Sequence, residues 1–138
     1  MYLTEIDLKK GIYAETLAVL TRDDPNTVNQ AIGEAVEEVR GYLCARYDID
    51  SEFRKSGEER NVRVVNLVRE IAVYNCYKIS NMANMPDTRQ QIYKDTIQSL
   101  IRIQEEKESI PGLGRLSSTS GGSNYIAFGG NKPRNNKW

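Results

Sequence analysis

Residues 27–47 read TVNQAIGEAVEEVRGYLCARY and carry the clearest helical pattern in the chain. Apolar side chains recur there every three or four residues, the spacing that places them on one face of an α-helix. Glutamates lie mainly on the opposite face, as expected for a helix that packs on a core. Gly33 and Gly41 interrupt the pattern, and each costs about 1 kcal/mol relative to alanine in an exposed helix. We therefore expect both glycines to allow close packing against a neighbouring helix.

Four further segments share this periodicity. Two short helices, at residues 5–10 and 12–21, precede the first long one, and long helices at 61–81 and 87–107 follow it. Arg22–Asn26 is predicted as a turn because Pro25 fixes its own φ angle, and the polar residues 48–60 are predicted as a loop. The prediction is an all-α helical bundle of two short and three long helices. Its expected core includes Val39, Leu43, Val68, Ile71, Ala72 and Leu100.

The composition changes after Glu108. Residues 109–138 are mostly Gly, Ser, Asn and Pro, which cannot build a packed core. The sequence therefore predicts a helical domain at 1–108 and an extended or flexible C-terminal arm at 109–138. Deleting 112–138 is expected to leave the stability of the domain nearly unchanged.

The arm also carries apolar and cationic side chains that a purely solvating tail would not need. We expect it to dock on another molecule, with residues 125–128 able to add as a strand to another chain's edge. A weaker alternative is that its last seven residues contact phosphates while Trp138 stacks on a base. The candidate interface residues are Tyr125, Ile126, Phe128, Lys132, Arg134 and Trp138.

Overall composition excludes several classes. The 19 basic and 19 acidic side chains cancel, so net charge gives no case for a nucleic-acid or membrane partner. No apolar run approaches the ~20 residues of a membrane span, and the N-terminus lacks the layout of a signal peptide. We therefore expect a cytoplasmic start. Cys44 and Cys76, on helical apolar stripes, are expected to be buried, reduced and unreactive.

No catalytic constellation is recognisable. The chain has no histidine, the commonest general base and metal ligand. Carboxylates are plentiful around residues 48–59 and 105–108, but none has the spacing of an EF-hand loop, so a solvated surface is expected. The Gly112–Gly114 and Gly121–Gly122 segments do not follow a strand and open a helix, as a phosphate-binding loop requires. We predict no catalytic residues, no metal and no cofactor.

Several motifs resemble those of one known family. The chain is similar over residues 1–108 to the head-completion or head–tail connector proteins of Mu-like phages and prophages. The most specific motif is G-Y-L-x-A-R-Y at Gly41–Tyr47. The other matching segments are Met1–Thr4 with Asp7-Leu8, Leu20–Asp24, Glu37–Arg40, Arg69–Tyr74 with its I-A-x-Y pattern, and Ile92–Thr96 with Leu100.

The resemblance implies a structural role without catalysis. Such a protein forms a ring between portal and tail, with itself, the portal and tail-completion proteins as partners and only incidental contact with packaged DNA. It implies no membrane and no small-molecule substrate, and a location in the host cytoplasm before the virion neck. The charged loop 48–60 and the long arm depart from the family pattern. Two alternatives stay open: a small helical nucleic-acid-binding or regulatory protein, and a small enzyme that uses carboxylates.

Overall fold

The architecture is that of a small helical bundle. A computed structural model describes residues 1–81 and 85–116. Its helices are α1 (Glu5–Leu8), α2 (Ala14–Thr21), α3 (Pro25–Leu43), α4 (Ile49–Phe53), α5 (Val62–Asn81) and α6 (Asp87–Gln104), with a 3₁₀ turn at Gly57–Glu59. The most extensive contact joins α3 to α5, while α6 packs on both and α1 and α2 pack on α5. The all-α prediction is confirmed.

The core lies between α3, α5 and α6. All six predicted core residues, namely Val39, Leu43, Val68, Ile71, Ala72 and Leu100, are fully buried. The N-terminal residues Tyr2, Leu3 and Leu8 join the same cluster. Residues that precede the first long helix therefore contribute to the core.

The predicted loop at 48–60 is wrong in part, because α4 and the 3₁₀ turn occupy most of it. Asp48 begins α4 by accepting a hydrogen bond from the backbone amide of Ser51 at 3.3 Å. Ile49 and Glu52 are both buried. The segment was predicted as a loop because its sequence is polar, and the sequence alone does not show that Glu52 is buried.

The bounds of α3 also differ from the prediction. Pro25 opens the helix instead of lying in a turn, since proline suits the first helical position, where its missing N–H has no intrahelical partner. The Asp24 side chain caps this end by accepting from the amide of Asn26 at 2.9 Å. The helix ends at Leu43, so Arg46 and Tyr47 follow it and are free for other contacts.

The expected packing at the two α3 glycines is wrong. Gly33 and Gly41 are exposed, and a Cβ atom at either position would meet nothing within 4 Å. They lie on the outer face of α3, away from α5.

The two cysteines differ in their exposure to solvent. Cys76 is buried as predicted, and burial raises the pKa of its thiol to about 11. Cys44 is exposed, contrary to the prediction, because it follows Gly41 by three residues and continues the exposed outer face of α3.

A thiol reagent should therefore modify one cysteine of the native protein quickly. We expect Cys44 to be labelled and Cys76 to react only on unfolding, because a reagent needs an accessible thiolate. Measurement of labelling by mass spectrometry, with Cys44→Ser as the control, checks this. Fast labelling that persists in Cys44→Ser would contradict the burial of Cys76.

Among the helices of the described segments, none is both long and apolar enough to cross a membrane.

Candidate assembly surface

The first part of the predicted arm is anchored to the bundle. Residues 110–116, here called the arm root, follow α6, and Ile110 and Leu113 are buried with the core. The amide of Asp48 donates to the carbonyl of Gly114 at 2.8 Å, and the amide of Leu116 donates to the backbone carbonyl of Arg46 at 3.2 Å. These bonds flank an isolated antiparallel bridge between Tyr47 and Arg115. The anchored chain thus runs past the predicted boundary at 108.

Arg46 and Tyr47, which end the G-Y-L-x-A-R-Y motif, form hydrogen bonds with the arm root and with the residues just before it. The Tyr47 hydroxyl, fully buried, accepts from the amide of Ile110 at 3.0 Å. The Arg46 guanidinium donates to the carbonyls of Ile103 and, at 3.0 Å, Glu108. The guanidiniums of Arg46 and Arg115 lie 5.2 and 5.5 Å from the centre of the Tyr47 ring, a distance typical of cation–π contacts.

A turn sets the direction of the arm root. Gly112 has a φ of +79°, a conformation that glycine adopts without steric cost. The Asn61 side-chain amide donates to the preceding carbonyl, that of Pro111, at 2.8 Å. The arm therefore leaves the body from a fixed point beside the end of α3.

The buried Leu113 changes the expected effect of truncation. A chain that ends at residue 111 should unfold with a free energy about 2 kcal/mol lower than one that ends at 116, because it loses a buried leucine and backbone hydrogen bonds. Chemical denaturation of the two truncations and the full chain checks this. We expect the chain ending at 116 to match the full chain; equal stability of all three would mean that the arm root contributes nothing.

The six residues proposed from sequence as the interface lie outside the described residues. They are Tyr125, Ile126, Phe128, Lys132, Arg134 and Trp138. The proposed strand at 125–128 lies there too.

A second polar cluster, the N-terminal anchor, fixes the start of the chain. The Tyr2 hydroxyl donates to Glu52 Oε2 at 2.5 Å, and the amide of Asn61 donates to the same oxygen at 2.6 Å. Arg60 donates to both carboxylate oxygens of Asp7, at 2.8 and 3.2 Å, and to the Tyr2 carbonyl at 2.8 Å. Glu52 and Asp7 are both buried.

The charges of the N-terminal anchor are matched. The hydrogen bonds from the Arg60 guanidinium hold the pKa of Asp7 at about 2. Burial, helped by the hydrogen bond to Glu52, raises the pKa of the Tyr2 phenol far above its usual value. Asp7 thus pairs with Arg60, and Glu52 pairs with Lys55 at 3.2 Å, although that second contact lacks the geometry of a hydrogen bond. We infer that the cluster is structural.

Stability should fall in acid through this cluster. Because the folded pKa of Asp7 is lower than the unfolded value of 3.8, its contribution is complete above that value and is lost as the pH falls from about 4 to about 2. The expected loss is about 2 kcal/mol. Urea denaturation at pH 5 and at pH 2.5 should show it, and Asp7→Asn should have a smaller pH dependence over that interval. An unchanged pH dependence in that variant would contradict the assignment.

A partly exposed aromatic group joins three helices. Tyr74 and Tyr93 stack with ring centroids 3.8 Å apart, and the Tyr93 hydroxyl donates to Glu38 at 2.9 Å. The pKa of the Tyr93 phenol lies well above its usual range, mainly because the group is buried and secondly because it is hydrogen-bonded to the Glu38 carboxylate. The two rings therefore pack on the bundle, and the Tyr93 hydroxyl reaches a carboxylate at its surface.

Most carboxylates considered from sequence are exposed, and some are paired with cations. Asp50 pairs with Arg40, and Glu108 pairs with Arg102 and, at 3.1 Å, with Arg63. The hydrogen bond from Arg102 lowers the pKa of Glu108. Across residues 1–81 and 85–116, no group of three or more His, Cys, Asp or Glu side chains is placed to hold a metal ion.

A surface cavity of about 560 Å³ lies between α1, α2 and the beginning of α3. We call it the acidic groove. Leu17, Ala18 and Val28 supply its apolar lining. Its charged residues are Glu5, Glu15, Asp23, Asp24 and a single cation, Lys9.

The family model described as "Bacteriophage Mu, Gp36" matches residues 2–123. The chain belongs to this family. The resemblance to a Mu-like phage protein family, noted from the G-Y-L-x-A-R-Y motif and its neighbours, is thus confirmed, and the chain is a Mu-like phage protein. No curated protein matches it.

The family match includes the whole described body and the arm root but stops before Tyr125. The six candidate interface residues predicted from sequence, Tyr125 to Trp138, therefore lie beyond the part that matches the Gp36 family. The anchoring of the arm root lies within it.

Sequence reasoning missed both the arm root and the acidic groove. For the arm root, the available signal was the pair of apolar residues Ile110 and Leu113, three apart within a Gly- and Pro-containing segment. For the acidic groove, the signal was the set of acids at the starts of three successive helices, which only the fold brings together.

Proposed function

We propose that this Gp36-family protein is a structural component of the phage neck, where copies form a ring-shaped adaptor between portal and tail. The observation that carries the proposal is the arm root: hydrogen bonds to Arg46, Tyr47 and Asp48 hold it on the helical body, so the residues that follow start from a fixed point. A ring needs a heterologous interface, in which one patch of a subunit meets a different patch of the next. In this proposal, residues 117–138 supply one of those patches.

Charge distribution supports assembly over nucleic-acid binding. The arm residues 117–138 contain three cations, Lys132, Arg134 and Lys137, and no acid, so residues 1–116 carry 19 − 3 = 16 basic and 19 acidic side chains. The body is therefore slightly acidic, unlike a protein whose body neutralises phosphates. A DNA-binding regulator would require the arm alone to supply the basic surface.

The arrangement of polar groups supports a role without catalysis. The best-buried acids, Asp7 and Glu52, accept hydrogen bonds from Arg60 and from Tyr2 and Asn61. Asp7 lines a surface cavity but is paired there with Arg60, so both acids hold elements of the fold together. We propose that the protein acts through its surfaces, with itself, the portal and tail-completion proteins as partners.

Inactivation of the gene in a phage or inducible prophage that carries it tests the proposal. We expect DNA-filled heads without attached tails by electron microscopy, with tailed particles restored by expression of the wild-type chain from a plasmid. Mass spectrometry should detect the protein in purified virions, and a gold label should locate it at the neck. Infectious tailed particles without the protein, or a label elsewhere on the particle, would contradict the proposal.

A further inference from the structure

The acidic groove has unbalanced charge. Four carboxylates line it against one ammonium group, and that ammonium, of Lys9, already pairs with Glu5 at 3.1 Å. Within residues 1–81 and 85–116, Glu15, Asp23 and Asp24 form no ion pair. The groove therefore suits a cationic occupant.

The groove also offers apolar surface. Leu17 and Val28, both buried, form its floor, and the half-buried Ala18 and the exposed Ala14 and Pro25 supply the accessible apolar area. Its volume of about 560 Å³ falls in the range of pockets that enclose a ligand of several side chains. The best-matched occupant is a peptide that combines cations with an aromatic side chain.

The end of the arm has this composition. Lys132, Arg134 and Lys137 are followed by Trp138, and no acid occurs anywhere between residues 117 and 138. We propose that the segment Lys132–Trp138 of one copy binds the acidic groove of the next copy. This inference rests on the proposed ring and identifies the two patches that would meet in it.

The positions of the two patches favour a contact between copies. The groove lies at the beginning of α3, whereas the arm root bonds to Arg46 and Asp48, just beyond its end. The 19 residues of α3 separate them by about 28 Å at 1.5 Å per residue. Patches at opposite ends of a subunit generate a head-to-tail, heterologous contact.

The arm is long enough to make this contact. From Leu116 to Lys132 the chain has 16 steps, 132 − 116, which reach at most about 50 Å when extended. That reach would include the groove of the same copy as well, so the experiment has to separate binding between copies from binding within one.

Three variants of the full chain test the inference. The groove variant is Glu15→Lys/Asp23→Lys, at exposed positions away from the core. The arm variant is Lys132→Glu/Arg134→Glu/Lys137→Glu. The matched control, Glu58→Lys/Glu59→Lys, makes the same charge change as the groove variant at exposed positions outside the groove.

Self-association measured by sedimentation velocity gives the first readout. We expect the groove and arm variants each to associate at least about tenfold more weakly than the wild type, since several ion pairs become repulsive. The control should associate as the wild type does, and wild-type association should weaken with added NaCl. Circular dichroism spectra and thermal unfolding establish that each variant is folded.

Mixing the groove variant with the arm variant gives the decisive readout. The groove variant has an intact arm and the arm variant has an intact groove, so a contact between copies should produce 1:1 heterodimers that neither variant forms alone. Absence of heterodimers would overturn the inference, because the arm would then bind within one copy or elsewhere.

Other results of these experiments distinguish the inference about the groove from the proposed function. A groove variant that associates as the wild type does, or a wild type that stays monomeric at all concentrations, overturns the inference but leaves the location of the protein in the virion untouched. Absence of the protein from the neck, with self-association intact, contradicts the proposed function instead.

Discussion

Replacement of Leu43 by alanine should lower the free energy of unfolding by about 2–5 kcal/mol, the usual cost of a cavity at a buried leucine. Leu43 is completely buried at the end of α3, the helix that makes the most extensive contact in the bundle. The loss should appear in urea or guanidinium denaturation as a lower midpoint with a similar slope.

Val19→Ala is the matched control for this prediction. Val19 is 76% exposed, so its truncation should change stability by less than about 0.5 kcal/mol. A loss below about 1 kcal/mol for Leu43→Ala, or equal losses for the two variants, would mean that the end of α3 is not packed as described.

Replacement of Arg60 by alanine should cost about 3 kcal/mol, because it leaves the buried carboxylate of Asp7 with only the more distant Lys10 ammonium group, at 3.9 Å. Arg60 also donates to the Tyr2 carbonyl, so the variant should loosen the N-terminus. The exposed Arg54→Ala serves as control and should change stability little. Denaturation of both variants at pH 7 gives the comparison.

A double variant separates the charge effect from lost packing. Adding Asp7→Asn to Arg60→Ala removes the unpaired charge, so the double variant should be less destabilised than the sum of the two single variants. Strict additivity would show that Arg60 acts by packing and not through Asp7.

The helices and the core could be predicted from sequence because their signals are local. The spacing of Val39 and Leu43 in α3, and of Val68 and Ile71 in α5, places each pair on one helical face, and all four are buried. That periodicity depends on the backbone geometry of the helix alone, so it needs no knowledge of the fold.

The predictions from sequence were wrong where residues far away in the chain determine the surroundings of a side chain. Glu52 reads as a solvated acid until Tyr2 and the amide of Asn61 are placed beside it. Leu113 reads as part of a flexible arm until Arg46 and Asp48 supply its neighbours with backbone partners. Gly41 and Cys44 were assigned to the packed side of α3, and both are exposed.

The assembly surface was predictable only in composition. The cations and aromatics of the arm are visible in the sequence, but the acids of the groove come from three helices and alternate with apolar residues. Glu5, Glu15 and Asp23 become neighbours only when α1 and α2 pack beside the start of α3.

The anchored arm root has a consequence for the order of events during synthesis. Ile110 and Leu113 complete the core, and their contacts with Tyr47 and its neighbours join parts of the chain more than 60 residues apart. Such long-range contacts form late in folding, so the nascent bundle reaches its full stability only after residue 113 has been synthesised. The arm residues that we propose to contact a neighbouring copy are translated only afterwards. A copy interrupted before that point would therefore lack both a fully stable body and the segment proposed to bind its neighbour.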